Sequence, residues 1–132
     1  MIANRANELL GCKLGDKERI VHPNDHVNRS QSSNDSFPTV MHVATVLKVN
    51  KELLPSLKEL KEELLKKEEC FKEVYKIGRT HLQDATPLTL GQEFSSFRQM
   101  VGKDIVRIEQ NMGDVLELAQ GGTAVGTGLN TY

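Results

Sequence analysis

Two long stretches with an apolar residue at every third or fourth position dominate the chain and predict two long helices. The first helix is expected to begin near Ser36, with Asp35 or Ser36 as its N-cap and Pro38 in its first turn. It continues to about residue 67 with its apolar face at Val40, Ala44, Leu47, Leu54, Leu57, Leu60 and Leu64. Pro55 is expected to kink this helix, because a proline ring clashes with the preceding turn.

The second stretch carries a clear start signal. Thr89 is a candidate N-cap, and Gln92 stands three residues later, where a capping box requires it. Steps of three and four residues then place one apolar stripe at Leu90, Phe94, Phe97, Val101, Ile105, Ile108, Met112, Val115 and Ala119. The glycine-rich residues 120–130 are expected to end this helix.

The remaining segments are shorter or irregular. Residues 1–12 have the pattern of a helix end, with Gly11 as the stop, and the polar residues 13–36 are typical of a loop. Residues 76–89 interrupt the helical pattern, and only the short stretch 73–77 favours a strand. We therefore predict a mainly α fold, a bundle of long helices with little or no β structure.

The first long helix is too long for a small round protein. From residue 37 to 67 it would extend for about 45 Å, whereas a compact chain of this size has a radius of gyration of about 14 Å. The apolar stripes also need more cover than two helices give each other. We therefore expect the chain to belong to a larger bundle, completed by further sequence or by other subunits.

Composition excludes several classes of partner. The 132 residues carry 17 basic and 18 acidic side chains, a net charge of -1, so no global field attracts nucleic acid or an anionic membrane. Apolar runs are too short to span a bilayer, and the start of the chain does not have the pattern of a signal peptide, so we predict no membrane partner and no secretion. Cys12 and Cys70 are expected to be reduced thiols.

Three polar clusters lie at the predicted element boundaries, where function concentrates. The first, residues 22–26, sets two histidines beside an asparagine and an aspartate; it is either a structural turn or a binding loop. Metal binding is disfavoured there, because Pro23 opposes the helix that would align His22 with His26. We predict no metal site.

The second cluster, residues 30–35, precedes the first long helix. A helix N-terminus offers N–H groups and a positive dipole end, and hydroxyl and amide groups beside it make a cradle for a carboxylate or phosphate. Simple capping of the helix and ordinary loop polarity are the alternative, although the segment offers more candidates than the one cap that is needed.

The third cluster, residues 78–85, contains His81 between a hydroxyl and possible carboxylate partners. A histidine oriented by a neighbour is a general base near neutral pH, and a hydrogen-bonded structural histidine is the alternative.

Taken together, these motifs resemble the class II fumarases of the fumarase/aspartase superfamily. The resemblance covers nearly the whole chain, in the right order and spacing, at residues 22–28, 30–35, 78–85, 87–94 and 121–130. Within the superfamily, Thr80-His81 resembles fumarases, whereas aspartases typically carry Gln at the position of His81.

The resemblance implies reversible hydration of fumarate to L-malate, as in the tricarboxylic acid cycle, without a metal or organic cofactor. It also implies a homotetramer joined through its central helices, in the cytoplasm or in mitochondria. It assigns proton transfer to His81. By the same resemblance, the substrate-binding residues are Ser32, Ser33, Asn34 and Thr80, and a second dicarboxylate site is formed by His22, Pro23, Asn24 and Asp25.

The resemblance also predicts how the chain is organised. Residues 1–35 would be the end of an N-terminal domain, and residues 36–132 the first part of the central helical domain. The family's upstream Ser-Gly-Thr segment and its downstream Gly-Ser-Ser loop, which carries the serine assigned as the catalytic base, lie outside these 132 residues. We therefore expect a central fragment of a longer chain, with part of a composite active site and no activity alone. An aspartase-like lyase and a non-catalytic assembly module remain the alternatives.

Overall fold

The computed structural model describes residues 1–13, 19–129 and 131. Gly15 of the predicted loop and Asn130 of the last motif lie outside the described residues. The chain forms two compact units, one of residues 1–42 with 118–132 and one of residues 43–117. Four α-helices and a small two-stranded sheet are found in the described part, so the predicted mainly α fold is confirmed. The helices are α1 (Ile2–Leu9), α2 (Ser33–Lys48), α3 (Leu54–Cys70) and α4 (Leu90–Val115), and the strands are β1 (Tyr75–Thr80) and β2 (Gln83–Thr89).

In the first unit, α1 is held by a buried asparagine. The Asn7 amide donates to the carbonyl groups of Ala3 and Val21, and its oxygen accepts from the Val21 N–H at 2.8 Å. These bonds satisfy a polar side chain that is only 6% exposed. Gly11 follows the helix with φ of +86°, in agreement with the predicted stop.

The start of α2 differs from the prediction by three residues. The helix begins at Ser33 rather than near Ser36, because Ser32 is the residue that accepts from the second helical N–H, that of Asn34. The Asp35 carboxylate in turn accepts from the Ser32 N–H at 2.9 Å, so the cap of this helix lies one turn earlier than expected. Pro38 therefore lies inside the helix, and its predicted place in the first turn is wrong.

In the second unit, a π-helical turn at Val49–Leu53 separates the end of α2 from α3. The Leu54 N–H bonds to the Val49 carbonyl, five residues back, instead of four. Pro55 follows at once, in the first turn of α3, where its missing N–H is tolerated. The disruption predicted at Pro55 thus takes the form of a widened turn immediately before it.

Helices α3 and α4 pack antiparallel, since Lys58 pairs with Glu109 at one end and Glu68 with Arg98 at the other. Each helix buries one apolar side chain almost completely, Leu54 on α3 and Ile105 on α4, and both are 6% exposed. The predicted capping box of α4 is confirmed: Thr89 accepts from the Gln92 N–H, and the Gln92 side chain accepts from the Thr89 N–H. The predicted stripe is less complete than expected, because Phe97 is 44% exposed and Ala119 lies beyond the helix.

The break predicted at residues 76–89 is an antiparallel β-hairpin. Its register runs from Tyr75 opposite Thr89 to Thr80 opposite Gln83, with an irregularity between Ile77 and Arg79. The stretch predicted to favour a strand, 73–77, covers only the beginning of β1. Among the described residues, no helix is both long enough and apolar enough to cross a bilayer.

Candidate functional site

The segment Ser32–Asn34 stands at the N-terminal end of α2, in the first unit. Ser32 is half-buried, whereas Ser33 and Asn34 are exposed. The Ser32 hydroxyl oxygen accepts from the Asn34 N–H at 3.1 Å. A hydroxyl that accepts in this way still has its own proton to donate. The three side chains can therefore offer hydroxyl and amide donors to a ligand at this helix end.

Asp35 joins this helix start to the glycine-rich segment near the end of the chain. Its carboxylate is 2% exposed and receives four hydrogen bonds. One oxygen, Oδ1, accepts from the Ser32 N–H and the Ser36 hydroxyl, and the other, Oδ2, accepts from the N–H groups of Gly121 at 3.2 Å and Thr123 at 2.8 Å. The Ser32 N–H, followed by those of Thr123 and Gly121 and by the Ser36 hydroxyl, holds the pKa of Asp35 below its ordinary value although burial opposes this.

The helix N-terminus therefore already holds an anion. The N–H groups of Ser32 and Asn34 are bonded to side chains of the chain itself, and the Asp35 N–H bonds the Ser32 carbonyl at 3.3 Å. Side-chain hydroxyl and amide groups are then the main donors that this segment offers to an external carboxylate. Of the two interpretations open from the sequence, capping is realised in full, and ligand binding is left to Ser33 and Asn34 together with the Ser32 hydroxyl.

The Asn34 side chain makes a second link to the same glycine-rich segment. Its amide nitrogen donates to the Ala124 carbonyl at 2.9 Å. This bond fixes which end of the amide is the donor, and it leaves the second amide hydrogen for a ligand. The amide is thus held in one orientation by a residue 90 positions away.

The predicted second dicarboxylate site, His22–Asp25, is a π-helical turn at Pro23–Val27 preceded by His22. The His22 Nδ1 atom lies 3.3 Å from the Asp25 N–H nitrogen and 3.0 Å from the Asp25 Oδ2 atom. His26 closes the turn from the other side, where its Nδ1 accepts from the His22 N–H at 2.8 Å. Asn24 and Asp25 are exposed and His22 is half-buried, so the turn presents an imidazole, an amide and a carboxylate together.

Thr80 and His81 belong to the second unit, at the tip of the hairpin. Thr80 ends β1 opposite Gln83, and His81 and Leu82 form the two-residue turn between the strands. Both turn residues have positive φ, +49° at His81 and +61° at Leu82, as in type I′ turns, which normally favour Asn and Gly. Thr80 and His81 are exposed, so the hairpin presents the imidazole to solvent at its outermost point.

The structure thus groups the predicted site residues by unit. Ser32–Asn34 and His22–Asp25 belong to the first unit, and Thr80 and His81 to the second. The residue whose role sequence reasoning missed is Asp35, which was considered only as an N-cap. The pattern Ser32-x-x-Asp35 is a capping-box signature and was visible in the sequence. No pattern in the sequence indicates the other bonds of Asp35, those to the N–H groups of Gly121 and Thr123.

Other features of the described residues do not coincide with the predicted site. Two cavities of about 450 and 340 Å³ lie along α3 and α4, and none of the predicted site residues lines them. Their walls carry cationic side chains, Lys61 and Arg98 in both. Within the described residues, no group of three or more His, Cys, Asp or Glu side chains is placed to hold a metal ion.

Comparisons with known proteins agree with the motifs. A family model described as "Lyase" matches residues 2–132. The chain is 62% identical over its full 132 residues to "Fumarate hydratase, mitochondrial" of Schizosaccharomyces pombe, covering 25% of that protein. It is 61% identical over 130 residues, 98% of its own length, to "Fumarate hydratase class II 2" of Bradyrhizobium diazoefficiens, covering 27% of that protein. The predicted resemblance to class II fumarases is confirmed by these relatives.

A solved structure gives the same result for the fold. The crystal structure of recombinant class II fumarase from Schistosoma mansoni superimposes with a TM-score of 0.87 at 44% identity. The match covers 99% of this chain and 27% of that one. The chain therefore spans about a quarter of the length of the relatives that it matches.

Proposed function

Since the chain belongs to the lyase family whose model matches residues 2–132, we propose that it supplies part of the active site of a class II fumarase. The reaction is the reversible hydration of fumarate to L-malate. The observation that carries the proposal is the 62% identity, over every residue of the chain, to a protein named fumarate hydratase. Because the chain spans only a quarter of that relative, we propose a composite site and expect no turnover from these 132 residues alone.

In this proposal the chain contributes two groups of residues to the reaction. Ser32, Ser33 and Asn34 bind a substrate carboxylate, and Thr80 binds the substrate beside His81. The exposed hydroxyl and amide donors at the start of α2 support this role, because neutral donors fixed around a carboxylate stabilise the charge that develops there. When a base of the complete enzyme takes the proton from carbon 3 of malate, that carboxylate takes on enediolate character and accepts these bonds more strongly.

We assign proton transfer at the hydroxyl group to His81. In the dehydration direction its imidazole donates a proton to the departing hydroxyl, which leaves as water; in the hydration direction it takes a proton from the attacking water. Its exposed position at the hairpin tip supports this role, since the ring is open to a ligand. The positive φ of His81 supports it too, because backbone strain concentrates at functional positions.

We further propose the second dicarboxylate site at His22, Pro23, Asn24 and Asp25. The turn offers the Asn24 amide and the His22 ring as donors, while Asp25 lies against His22 at 3.0 Å. The Asp25 carboxylate repels a second anion at close range, so a bound dicarboxylate would contact the Asn24 amide and the side of the His22 ring that faces away from Asp25.

The assembly and the domain arrangement are also proposals. We propose that residues 1–35 complete an N-terminal domain, that residues 36–132 begin a central helical domain, and that four copies associate through these helices. Large apolar side chains left exposed on the second unit support the association, among them Leu47, Leu60, Leu65, Met100 and Val106. We expect the enzyme in the cytoplasm or in mitochondria, acting on fumarate and L-malate without nucleic acid, membrane or cofactor.

The test is turnover by the complete enzyme that contains this sequence, followed through the ultraviolet absorbance of fumarate. We expect fumarate from L-malate and none from L-aspartate; production from aspartate alone would favour an aspartase. His81→Asn should lower kcat by about 100- to 10,000-fold, the usual contribution of a positioned acid or base. Leu82→Asn is the matched control, since it places the same new residue next to His81 in the same turn. Equal turnover by wild type and His81→Asn would remove His81 from the mechanism.

A further inference from the structure

We infer that Asp35 is a positioning residue for the proposed hydration site: its buried carboxylate joins the start of α2 to the glycine-rich segment Gly121–Ala124 and so holds Asn34 ready for the substrate. The inference rests on the proposed function, because it concerns the same substrate-binding segment. Asp35 acts through its neighbours rather than on the substrate itself.

The two oxygens of the carboxylate serve two different segments. Oδ1 bonds within the start of α2, to the Ser32 N–H at 2.9 Å and the Ser36 hydroxyl at 3.3 Å. Oδ2 bonds the glycine-rich segment through the N–H groups of Gly121 and Thr123. A single side chain therefore sets the separation between two stretches of backbone that lie 86 and more residues apart in sequence.

The glycine-rich segment has backbone conformations that need such support. Gly121 has φ of +99°, and Thr123, which is not a glycine, has φ of +56° while only 6% exposed. A non-glycine residue in this region costs about 1 kcal/mol or more and persists only where its surroundings hold it. The bonds to Asp35, together with the Thr123 hydroxyl bond to the Leu129 carbonyl at 2.7 Å, supply that constraint.

The consequence reaches Asn34 through the next residue of the segment. Ala124 follows Thr123 directly, and its carbonyl receives the Asn34 amide. If Thr123 moves, the carbonyl that orients the amide moves with it. The contacts thus run from the Asp35 carboxylate through the Thr123 backbone and the Ala124 carbonyl to Asn34, which is proposed to bind the substrate.

Burial and charge exclude a direct contact between Asp35 and the substrate. The carboxylate is 2% exposed, so a ligand does not reach it. The carboxylate is also an anion, which repels a substrate carboxylate at contact distance, and its four hydrogen-bond donors all belong to the chain itself. Asp35 is therefore a support for the site, and its loss should weaken substrate binding more than the chemical step.

The experiment compares Asp35→Asn with wild type in the complete enzyme. An amide has only one acceptor oxygen. In the variant, the –NH₂ group therefore faces either the donors at the start of α2 or the N–H groups of the glycine-rich segment, and it accepts no hydrogen bond from them. We expect KM for L-malate to rise by about 10- to 100-fold, as is usual when a supporting partner of a ligand is lost, with a smaller change in kcat. Hydrogen exchange of residues 121–123, read by mass spectrometry, should become faster.

Two control variants separate positioning from general loss of stability. Asn7→Ala removes another buried polar side chain of the same unit, one that makes three hydrogen bonds and does not touch α2 in them. It should lower Tm while KM stays at the wild-type value. Ser36→Ala removes the 3.3 Å hydroxyl bond to Asp35 together with the 3.0 Å bond from the same hydroxyl to the Gln31 side chain, and it should also keep its KM.

The outcomes are distinct. An unchanged KM in Asp35→Asn, at a temperature where the protein is folded, overturns the inference, and so does an equal rise of KM in Asn7→Ala. If Asp35→Asn fails to assemble, Asp35→Glu keeps both acceptor oxygens; a raised KM supports the inference and a wild-type KM overturns it. A wild-type enzyme that does not hydrate fumarate would instead refute the proposed function.

Discussion

At Gly91 the start of α4 packs so closely against the backbone at the end of α3 that a larger residue does not fit. Gly91 lies in the first turn of α4, where its N–H bonds the Phe71 carbonyl at 3.0 Å. A Cβ atom built on it would lie 2.6 Å from the Glu68 carbonyl oxygen and 2.8 Å from the Lys72 Cα atom. Both are backbone atoms, which do not move aside as a side chain does. Gly91→Ala must therefore push the start of α4 away from the end of α3.

The cost follows from these distances. Ordinary contact begins near 3.4 Å, so the new methyl group has to retreat by about 0.8 Å. A retreat of that size along the bond to Phe71 stretches it beyond hydrogen-bond length. Overpacking of this kind costs about 1–3 kcal/mol and the lost bond about 1 kcal/mol, against less than about 1 kcal/mol gained in helix propensity. We expect a net loss of about 2 kcal/mol, which lowers Tm by roughly 6–10 °C.

Two other glycines of the same helix are matched controls. A Cβ on Gly113 meets nothing within 4 Å, and one on Gly102 meets only the end of the Lys61 side chain, at 3.5 Å. Alanine at either position should raise the stability by about 0.5–1 kcal/mol, because it keeps only the gain in propensity. Thermal unfolding followed by circular dichroism measures all three variants. A Gly91→Ala protein as stable as the two controls would refute the reasoning.

Three further predictions concern caps, charge and strain. Thr89→Ala should destabilise α4 by about 1 kcal/mol in urea unfolding, because it removes the acceptor of the Gln92 N–H, whereas Thr89→Ser should cost much less; equal losses would contradict the capping box. Since the folded pKa of Asp35 is below its ordinary value of 3.8, its charge contributes stability above that pH and this contribution is lost as pH falls through the folded pKa. The difference in Tm between wild type and Asp35→Asn should therefore shrink below about pH 4, and a constant difference would be inconsistent with the lowered pKa. Leu82→Asn should raise Tm by relieving about 0.5–1 kcal/mol of strain at φ of +61°, because Asn tolerates this conformation; a lower Tm would show that the Leu82 backbone is not strained.

The parts of the fold that could be predicted are those with a local cause. The capping box at Thr89 needs only two side chains three residues apart, and the burial of Leu54 and Ile105 follows from two apolar stripes that have to be covered. The start of α2 was missed by three residues for a reason that is also local. Proline at 38 favoured a later start, but the Ser32 hydroxyl accepts from the Asn34 N–H and the Asp35 carboxylate accepts from the Ser32 N–H, and these bonds fix the helix end one turn earlier.

The hairpin shows what local pattern does not contain. Within the described residues, its two strands form a ribbon that no third strand joins, and along β1 the half-buried residues stand in one run instead of alternating with exposed ones. The burial along β1 therefore does not follow the alternation by which a strand is usually recognised in a sequence. What holds the strands together is backbone pairing and the close approach at Gly78, where a Cβ would lie 2.6 Å from the Thr86 carbonyl oxygen. A glycine kept for close approach looks, in the sequence, like any loop glycine.

The candidate site divides in the same way. The resemblance of its motifs to those of class II fumarases was sufficient to propose Ser32–Asn34 for substrate binding and His81 for proton transfer, whereas the residue types alone left capping and a structural histidine as alternatives. The support behind them was not predictable, since the bonds from Asp35 to Gly121 and Thr123 join positions that no short-range rule connects. Long-range hydrogen bonds of this kind depend on the folded arrangement of the whole unit, so they enter only with the structure.

The hairpin tip at His81 and Leu82 has a backbone conformation that neither residue type favours. A two-residue turn with positive φ at both positions is most stable with Asn-Gly, and this chain places His and Leu there instead. Leu82 is 98% exposed, so packing does not repay the strain at its own position. A sequence selected for hairpin stability alone would not keep both residues. The strain at the tip therefore supports the proposed proton-transfer role of His81 over a structural role. Such strain is expected where a functional residue is retained at the expense of local stability.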